Sequence, residues 1–286
     1  MTPLASILAA TDFSAHARNA ALRAGMLARQ SGARRMVLLH VMPELPLGAR
    51  LVAGTTAAIE QALATHASEL AHESGAAFEA RLEQGAVADA IARAAEAFDL
   101  IAVGAKGTHP LRDLAIGTSA ERLLRKSRCP VLVVKAAPRA AYRRVLVPVD
   151  FSDDSRAALA FTRRLAPEAE LHLLHAFEAL FESTLRLGGA PEEDIQRHRR
   201  EARERAGKDM SAMLAGLKID ETRVSRIIAH GYPPSVISDS RKEIGADLIA
   251  IGKHGRSRLE ELLLGSVTLH ALAAAECDVL VVPGAG

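Results

Sequence analysis

The chain has 286 residues, 49% of them hydrophobic and 24% charged, with a formal net charge of +2. That balance belongs to a globular protein long enough for two domains of ordinary size. The chain is not strongly basic, tryptophan is absent and aromatics make up 3%, which leaves few stacking platforms for bases and makes nucleic-acid binding a poor first reading.

In chain order, residues 4–10 form a short apolar run followed by Thr11-Asp12-Phe13-Ser14. Ser14 is placed to cap a helix whose apolar stripe is Ala17, Ala20, Ala21, Ala24, Leu27 and Ala28, and Gly32 fits its stop. Residues 36–41 (MVLLHV) read as a second strand, followed by a loop with Pro43 and Pro46, a longer helix to about His72 and a strand over 78–83. Val87, Ile91, Ala94, Ala95 and Phe98 mark the next helix face, and 100–103 is a fourth strand. It runs into GAKGTHPLRDLAIGTS (104–119), then a helix near 119–126 and a last strand over 131–134.

After a linker over 136–141 the pattern repeats. Residues 145–149 lead to Asp150-Phe151-Ser152, LHLLHA (171–176) restates the second strand so that His175 matches His40, and Gly231 matches Gly85. The second glycine loop is GKHGRSRLEELLLGSV (252–267), and CDVLVV restates CPVLVV. The unit is far longer than a solenoid repeat, so it means two copies of a domain. The halves differ most over 178–218, where a Gly-Gly loop precedes a charged helix with Ile195, Ala202, Ala206, Met210, Met213 and Leu217 on its apolar side. Its interleaved Arg and Glu residues read as a solvated face.

Alternation of apolar strands with helices indicates an α/β fold with a parallel sheet covered on both faces. Ligands gather at the carboxyl ends of such strands, where Asp12 and Gly104 both fall. Each glycine loop has the form G-x2-G-x9-G-S/T: Gly104, Gly107, Gly117 and Thr118 in one, Gly252, Gly255, Gly265 and Ser266 in the other. A helix opening at the third glycine presents unpaired amides that favour an anion, and the following hydroxyl caps the helix or meets a phosphate. Cys129 and Cys277 stand at matching positions and read as small buried residues of a reducing compartment, not as a disulfide. No basic segment leads into a long apolar core at the start of the chain, and no run approaches the ~18 apolar residues of a membrane span, so a cytoplasmic, membrane-free protein is expected.

On the paired glycine motifs, the Asp-Phe-Ser after the first strand and the Leu-His after the second, the chain resembles a tandem universal stress protein of the branch that carries the glycine motif. The resemblance covers nearly the whole chain, as residues 1–137 and 142–286. It implies two five-stranded parallel sheets of order 3-2-1-4-5, each binding ATP, or AMP or ADP, with Mg²⁺. It places Ala10, Thr11 and Asp12, and Pro148, Val149 and Asp150, beside the nucleotide, the two aspartates near ribose or a phosphate-bound metal. The backbones of Val41 and Ala176 would meet the adenine edge, and Gly104 and Gly252 the ribose. Gly107, Gly117, Thr118 and Ser119, with Gly255, Gly265, Ser266 and Val267, would hold the phosphates, and Thr108 and Arg256 complete the set. Ala10 departs from the family, which has proline there as in Pro148. Family members pair through their last strands, so 131–134 and 279–282 would join the halves into a pseudo-dimer, with a homodimer also open.

The function expected is a nucleotide-responsive stress or regulatory module acting on an unspecified protein partner, with no catalytic residue or resident metal site. P-loop lysine, dinucleotide fingerprint and kinase signatures are missing. Lys106 and Lys253 sit inside the glycine loops as exposed lysines with no assigned role, and His109 and His254 read as solvated loop residues. His172 and His175, three apart on a strand, face opposite ways. Two alternatives stand beside this: a slow ATPase dependent on Asp12 and Asp150, and a protein-interaction scaffold whose glycine loops bind nothing.

Overall fold

The computed structural model describes residues 3–44, 54–107, 116–178, 188, 191–255 and 263–284. In the first half, strands β1 (Ser6–Thr11), β2 (Arg35–Met42), β3 (Glu79–Gln84), β4 (Leu100–Gly104) and β5 (Val131–Val134) alternate with helices α1 (Ala15–Ser31), α2 (Thr55–Ser74), α3 (Val87–Ala94) and α4 (Thr118–Lys126). The second half repeats them as β6 (Arg144–Pro148), β7 (Glu170–Phe177), β8 (Val224–His230), β9 (Leu248–Gly252) and β10 (Asp278–Val282). Its helices are α5 (Asp153–Leu165), α6 (Glu192–Gly216), α7 (Pro233–Ile244) and α8 (Ser266–Ala274).

Each half has the strand order 3-2-1-4-5, and the two join in one ten-stranded sheet, β3-β2-β1-β4-β5-β10-β9-β6-β7-β8. All pairings are parallel except β5 with β10, which run antiparallel in the register Val131↔Val281, Leu132↔Leu280 and Val133↔Val279. These two strands would be exposed edges in isolated halves, and their pairing covers both.

Strand residues alternate between two cores because successive side chains point to opposite faces. Ile7, Ala9 and Leu38 pack with Leu27, Leu70, Leu159 and Met213 on the side of α1, α2, α5 and α6. Leu8, Leu39 and Ile101 pack with Ile91, Leu123, Ile237 and Leu272 on the side of α3, α4, α7 and α8. Ser14 caps α1, accepting from the Ala17 amide, and Ser152 does the same for α5 from the Ser155 amide. The face read through Phe98 departs from one helix: α3 stops at Ala94, a 3-10 turn covers Ala95–Ala97, and Phe98 is already extended. That turn brings the chain back to the sheet in time for β4 while keeping Phe98 buried.

Asp99 and Asp247, which open the Asp-Leu-Ile-Ala runs, fasten the start of β4 to β1 and of β9 to β6. Asp99 Oδ2 accepts from the Ala5 and Ser6 amides (2.8 and 3.0 Å), and Asp247 accepts from the Arg143 and Arg144 amides (2.8 and 3.2 Å).

The halves are also tied by polar groups that cross between them. Lys253 Nζ donates to the carbonyls of Arg125 and Ser127 at the end of α4 (2.7 and 3.0 Å), and Lys135 Nζ to those of Leu272 and Ala275 at the end of α8 (2.6 and 2.5 Å). A cation at a helix C-terminus meets both the orphan carbonyls and the negative end of the macrodipole. Lys253 is therefore a buried interface residue, not an exposed loop lysine. Beside these, buried Asp278 accepts from the Tyr142 hydroxyl at Oδ2 (2.6 Å) and from the Lys135 amide at Oδ1 (2.9 Å), and Arg23 Nε lies 3.3 Å from the same Oδ2.

Cys129 and Cys277 are free thiols, and Cys129 Sγ donates to the Phe98 carbonyl at 3.2 Å. Burial pushes the Cys129 thiol up to about 12 and the Cys277 thiol to about 11. Since the thiolate is the reactive form, iodoacetamide at pH 8 should label the native protein about two orders of magnitude more slowly than the urea-unfolded chain. Equal labelling rates would show that these thiols are not held in the buried environment described.

Candidate functional site

The parallel order places the carboxyl ends of β1 and β4 side by side, and those of β6 and β9 likewise. Each pair opens onto a cavity. In the first half Ala10, Asp12, Gly104, Gly107, Gly117, Thr118 and Ser119 line one of about 270 Å³. In the second, Pro148, Val149, Asp150, Ala176, Gly252, Gly255, Gly265, Ser266 and Val267 line one of about 360 Å³. Thr11 and Val41 are not among the residues lining the first-half cavity. Thr108 and Arg256, like His109, lie outside the described residues.

The Asp-Phe-Ser turn is built alike in both halves. Asp12 Oδ1 accepts from the Ser14 amide at 3.0 Å and Asp150 Oδ1 from the Ser152 amide at 3.1 Å, which closes the chain between strand and helix. Phe13 and Phe151 take φ of 63° and 66°, a left-handed backbone that costs an aromatic residue of order 1–3 kcal/mol. Their rings pack on His40 and His175, with centroids 4.8 and 4.5 Å apart. The two histidines in turn hold the preceding strand end through Nδ1, 2.8 Å from the Thr11 and Val149 carbonyls. The Leu-His element seen in the sequence is thus a clamp on the strand end that leads into the aspartate.

The three glycines of each motif have three different surroundings. A Cβ on Gly104 would stand 2.6 Å from the His16 carbonyl carbon, and one on Gly252 2.8 Å from Asp154 Cβ and 2.9 Å from its carbonyl carbon. These glycines let the first turn of α1 or α5 press onto the end of the central strand, a packing reason that the sequence reading did not contain. A Cβ on Gly107 or Gly255 would meet the Oδ2 of Asp12 or Asp150 at 2.8 or 3.2 Å, so each aspartate lies directly over its glycine loop. At Gly117 and Gly265 the nearest described atoms would be 3.7 and 3.5 Å away, ordinary contact. Their backbone is unremarkable too, with φ of −65° and −58°.

The loops close on themselves: the Gly117 amide donates to the Ala105 carbonyl (2.8 Å) and the Gly265 amide to the Lys253 carbonyl (3.0 Å). That bond brings the third glycine beside the second despite the nine intervening residues. α4 and α8 then start with no capping side chain, unlike α1 and α5. Apolar walls complete the cavities, Val87 and Ile91 in the first half, Pro233, Ile237 and Leu264 in the second. Val87 and Ile91 were legible only as a helix face, because the same spacing serves a core and a ligand wall.

His254 is not a solvated loop residue. Its amide and its Nδ1 both approach Asp154 Oδ2, at 2.9 and 3.0 Å, and its side chain is 18% exposed. Lys106 lines the first-half cavity. Its neighbour in motif order in the other loop, Lys253, turns away to cap α4 as described.

The profile of the Universal stress protein family matches residues 4–135 and again 141–283. The universal stress protein YxiE of Bacillus subtilis is 33% identical over 146 residues, which cover 49% of this chain and 99% of that protein. A universal stress protein of Mycolicibacterium smegmatis is 27% identical over 232 residues, covering 79% of this chain and 75% of that one. A universal stress protein structure from Archaeoglobus fulgidus has the same fold along the length, with a TM-score of 0.70 at 22% identity, covering 97% of this chain and 98% of that one. With both halves matched in turn, the chain belongs to the universal stress protein family, as two consecutive domains of it.

Proposed function

We propose that each half binds one adenine nucleotide, ATP with Mg²⁺ in the first instance, and that the chain is a cytoplasmic stress-response or regulatory protein whose loops report occupancy to a protein partner. The domains that carry the two sites are residues 1–137 and 142–286. The observation that supports this most is Gly117 with Gly265. Neither a positive φ nor a described neighbour requires glycine at either position, yet both stand at an uncapped helix start on a cavity wall. A phosphate seated against the main chain supplies the missing requirement. The aspartate over each loop fits the ribose or phosphate end, and the apolar wall fits a base. Free, half-buried Cys129 and Cys277 suit a reducing compartment. Among the described residues no helix is long and apolar enough to cross a membrane.

The test is to denature the purified protein, identify released nucleotide by ion exchange, and titrate the stripped protein with ATP and Mg²⁺ calorimetrically. Up to two adenine nucleotides per chain are expected. Neither released nucleotide nor measurable heat would sink the reading in favour of a protein-interaction scaffold.

A further inference from the structure

The two cavities occupy equivalent places but present different groups around the third glycine. At the third position of the glycine motif the first half has Lys106 and the second His254, and two residues beyond the last glycine the first has Ser119 and the second Val267. Lys106 and Ser119 are exposed and line the first-half cavity, as does Thr118. A Cβ on Gly117 would stand 3.8 Å from the Lys106 Cα, so one ammonium and two hydroxyls are gathered at the start of α4. In the second half the corresponding groups are apolar or already engaged. His254 Nδ1 lies 3.0 Å from Oδ2 of buried Asp154 and its Nε2 is buried, so neither ring nitrogen is offered to a ligand. The buried Thr268 hydroxyl donates to the Gly252 carbonyl (2.8 Å), and that of Ser155 to the Ser152 carbonyl (2.9 Å). Ser266 keeps a hydroxyl at the start of α8, but Val267 beside it has none to give. Asp154 also brings a carboxylate onto the loop, accepting from the His254 amide, where the first half has His16 at the matching position. The second cavity is the larger, about 360 against 270 Å³.

We propose that the two sites differ in the phosphate chain they select: the first prefers the nucleoside triphosphate to the monophosphate, and the second takes either with little discrimination. This rests on the nucleotide reading above. The aspartate over the loop and the loop glycines are common to both halves and cannot set them apart. The side chains at the two differing positions can. Each added phosphate brings negative charge and acceptor oxygens, which Lys106 meets with a cation and Ser119 with a hydroxyl. A monophosphate shares the base, the ribose and one phosphate with the triphosphate, and forgoes only what these two groups hold. In the second half the longer chain meets Val267 in place of a serine, and a histidine drawn onto Asp154 in place of a lysine. It gains little there from its extra charge. As triphosphate falls and monophosphate rises, the first crevice empties while the second stays filled, so the loops of the first half report the ratio of the two.

The experiment titrates the full chain calorimetrically with ATP and separately with AMP, in Mg²⁺ throughout, as wild type, as Lys106→Met with Ser119→Val, and as Lys106→Arg. In the wild type the preference for ATP over AMP should be about tenfold or more greater at one site than at the other. The double variant should lose that difference: ATP affinity falls about tenfold at one site, while AMP affinity at both stays close to the wild-type value. Lys106→Arg keeps the cation and should keep the preference. Both positions are exposed, so the melting temperature should not move. Equal preferences at the two wild-type sites, or a double variant that weakens ATP and AMP alike, would overturn the assignment and leave the binding reading intact. Binding of neither nucleotide would overturn both.

Discussion

Adding a single methyl group to the glycines of the motif should separate fold from ligand. Gly104→Ala and Gly252→Ala are expected to destabilise the protein by about 3 kcal/mol each, seen as a fall in melting temperature of roughly 5–10 °C. The added Cβ would stand 2.6 Å from the His16 carbonyl carbon in one case and 2.8 Å from Asp154 Cβ in the other. In both cases the obstacle includes helix backbone, which yields only if the start of α1 or α5 moves away from the sheet. Gly117→Ala and Gly265→Ala add the same atom where described neighbours are 3.7 and 3.5 Å away, with φ already in the range of any residue. Their cost to stability should stay within about 1 kcal/mol, the scale of a changed helix cap. On the nucleotide reading, each should weaken one of two binding events at least tenfold, because the methyl occupies the phosphate's line of approach. Thermal melts and calorimetric titration of the four variants test this together. If Gly117→Ala and Gly265→Ala bind as the wild type does, the third glycine is not a ligand contact. If all four melt alike, the packing role of Gly104 and Gly252 is wrong.

The split between what the sequence revealed and what it hid follows the range of the interactions. Strand runs, the Ser14 cap and the duplicated glycine loops are local patterns, and they led to the α/β architecture and to the ends of β1 and β4. The pairing of Val131–Val134 with Val279–Val282 was open to inference through the family resemblance, since two apolar edge strands invite each other. The dispositions of Lys253, His254 and Asp278 were not, because their partners lie 128, 100 and 136 residues away along the chain. Lys253 and His254 are adjacent in one loop, yet one caps a helix of the other half and the other docks on Asp154. Nothing in the loop's composition distinguishes them. Gly104 illustrates a different limit: glycine at a strand end is equally consistent with a ligand and with a helix pressing on the main chain, and only the 2.6 Å separation decides. Phe13 is the opposite case, since an aromatic residue is a poor candidate for φ of 63° and its ring contact with His40 was needed to account for it.

Asp278→Ala should unfold the junction between the halves more effectively than any comparable surface change. The carboxylate accepts from the Tyr142 hydroxyl and the Lys135 amide and faces Arg23, whose guanidinium also stacks 4.2 Å from the Tyr142 ring centre. Removing it leaves a buried cation and two donors without their acceptor, and breaking a buried pair in this way costs about 3–5 kcal/mol. The matching position in the first half is Pro130, which offers no substitute. Tyr142→Phe removes one donor to a charged group and should cost about 1.5–3 kcal/mol at pH 7. The two variants also differ in alkali. Burial raises the Tyr142 hydroxyl well above its ordinary value, and the Asp278 carboxylate pushes it further the same way against the opposing pull of Arg23. The folded chain therefore keeps a proton that the unfolded chain releases near pH 10. The stability contributed by this hydroxyl is complete below that pH and is lost as pH rises through it toward the folded value, by up to about 1.4 kcal/mol per pH unit. Urea unfolding of the wild type from pH 7 to 11 should show this decline, and Tyr142→Phe should remove that component because the remaining tyrosine, Tyr232, is exposed. A wild-type decline that persists unchanged in Tyr142→Phe would show that alkali acts elsewhere. With Asp278→Ala, loss of the junction should reach the sites as well, since the Lys135 amide it binds belongs to the residue that caps α8, the helix that opens on the second-half cavity.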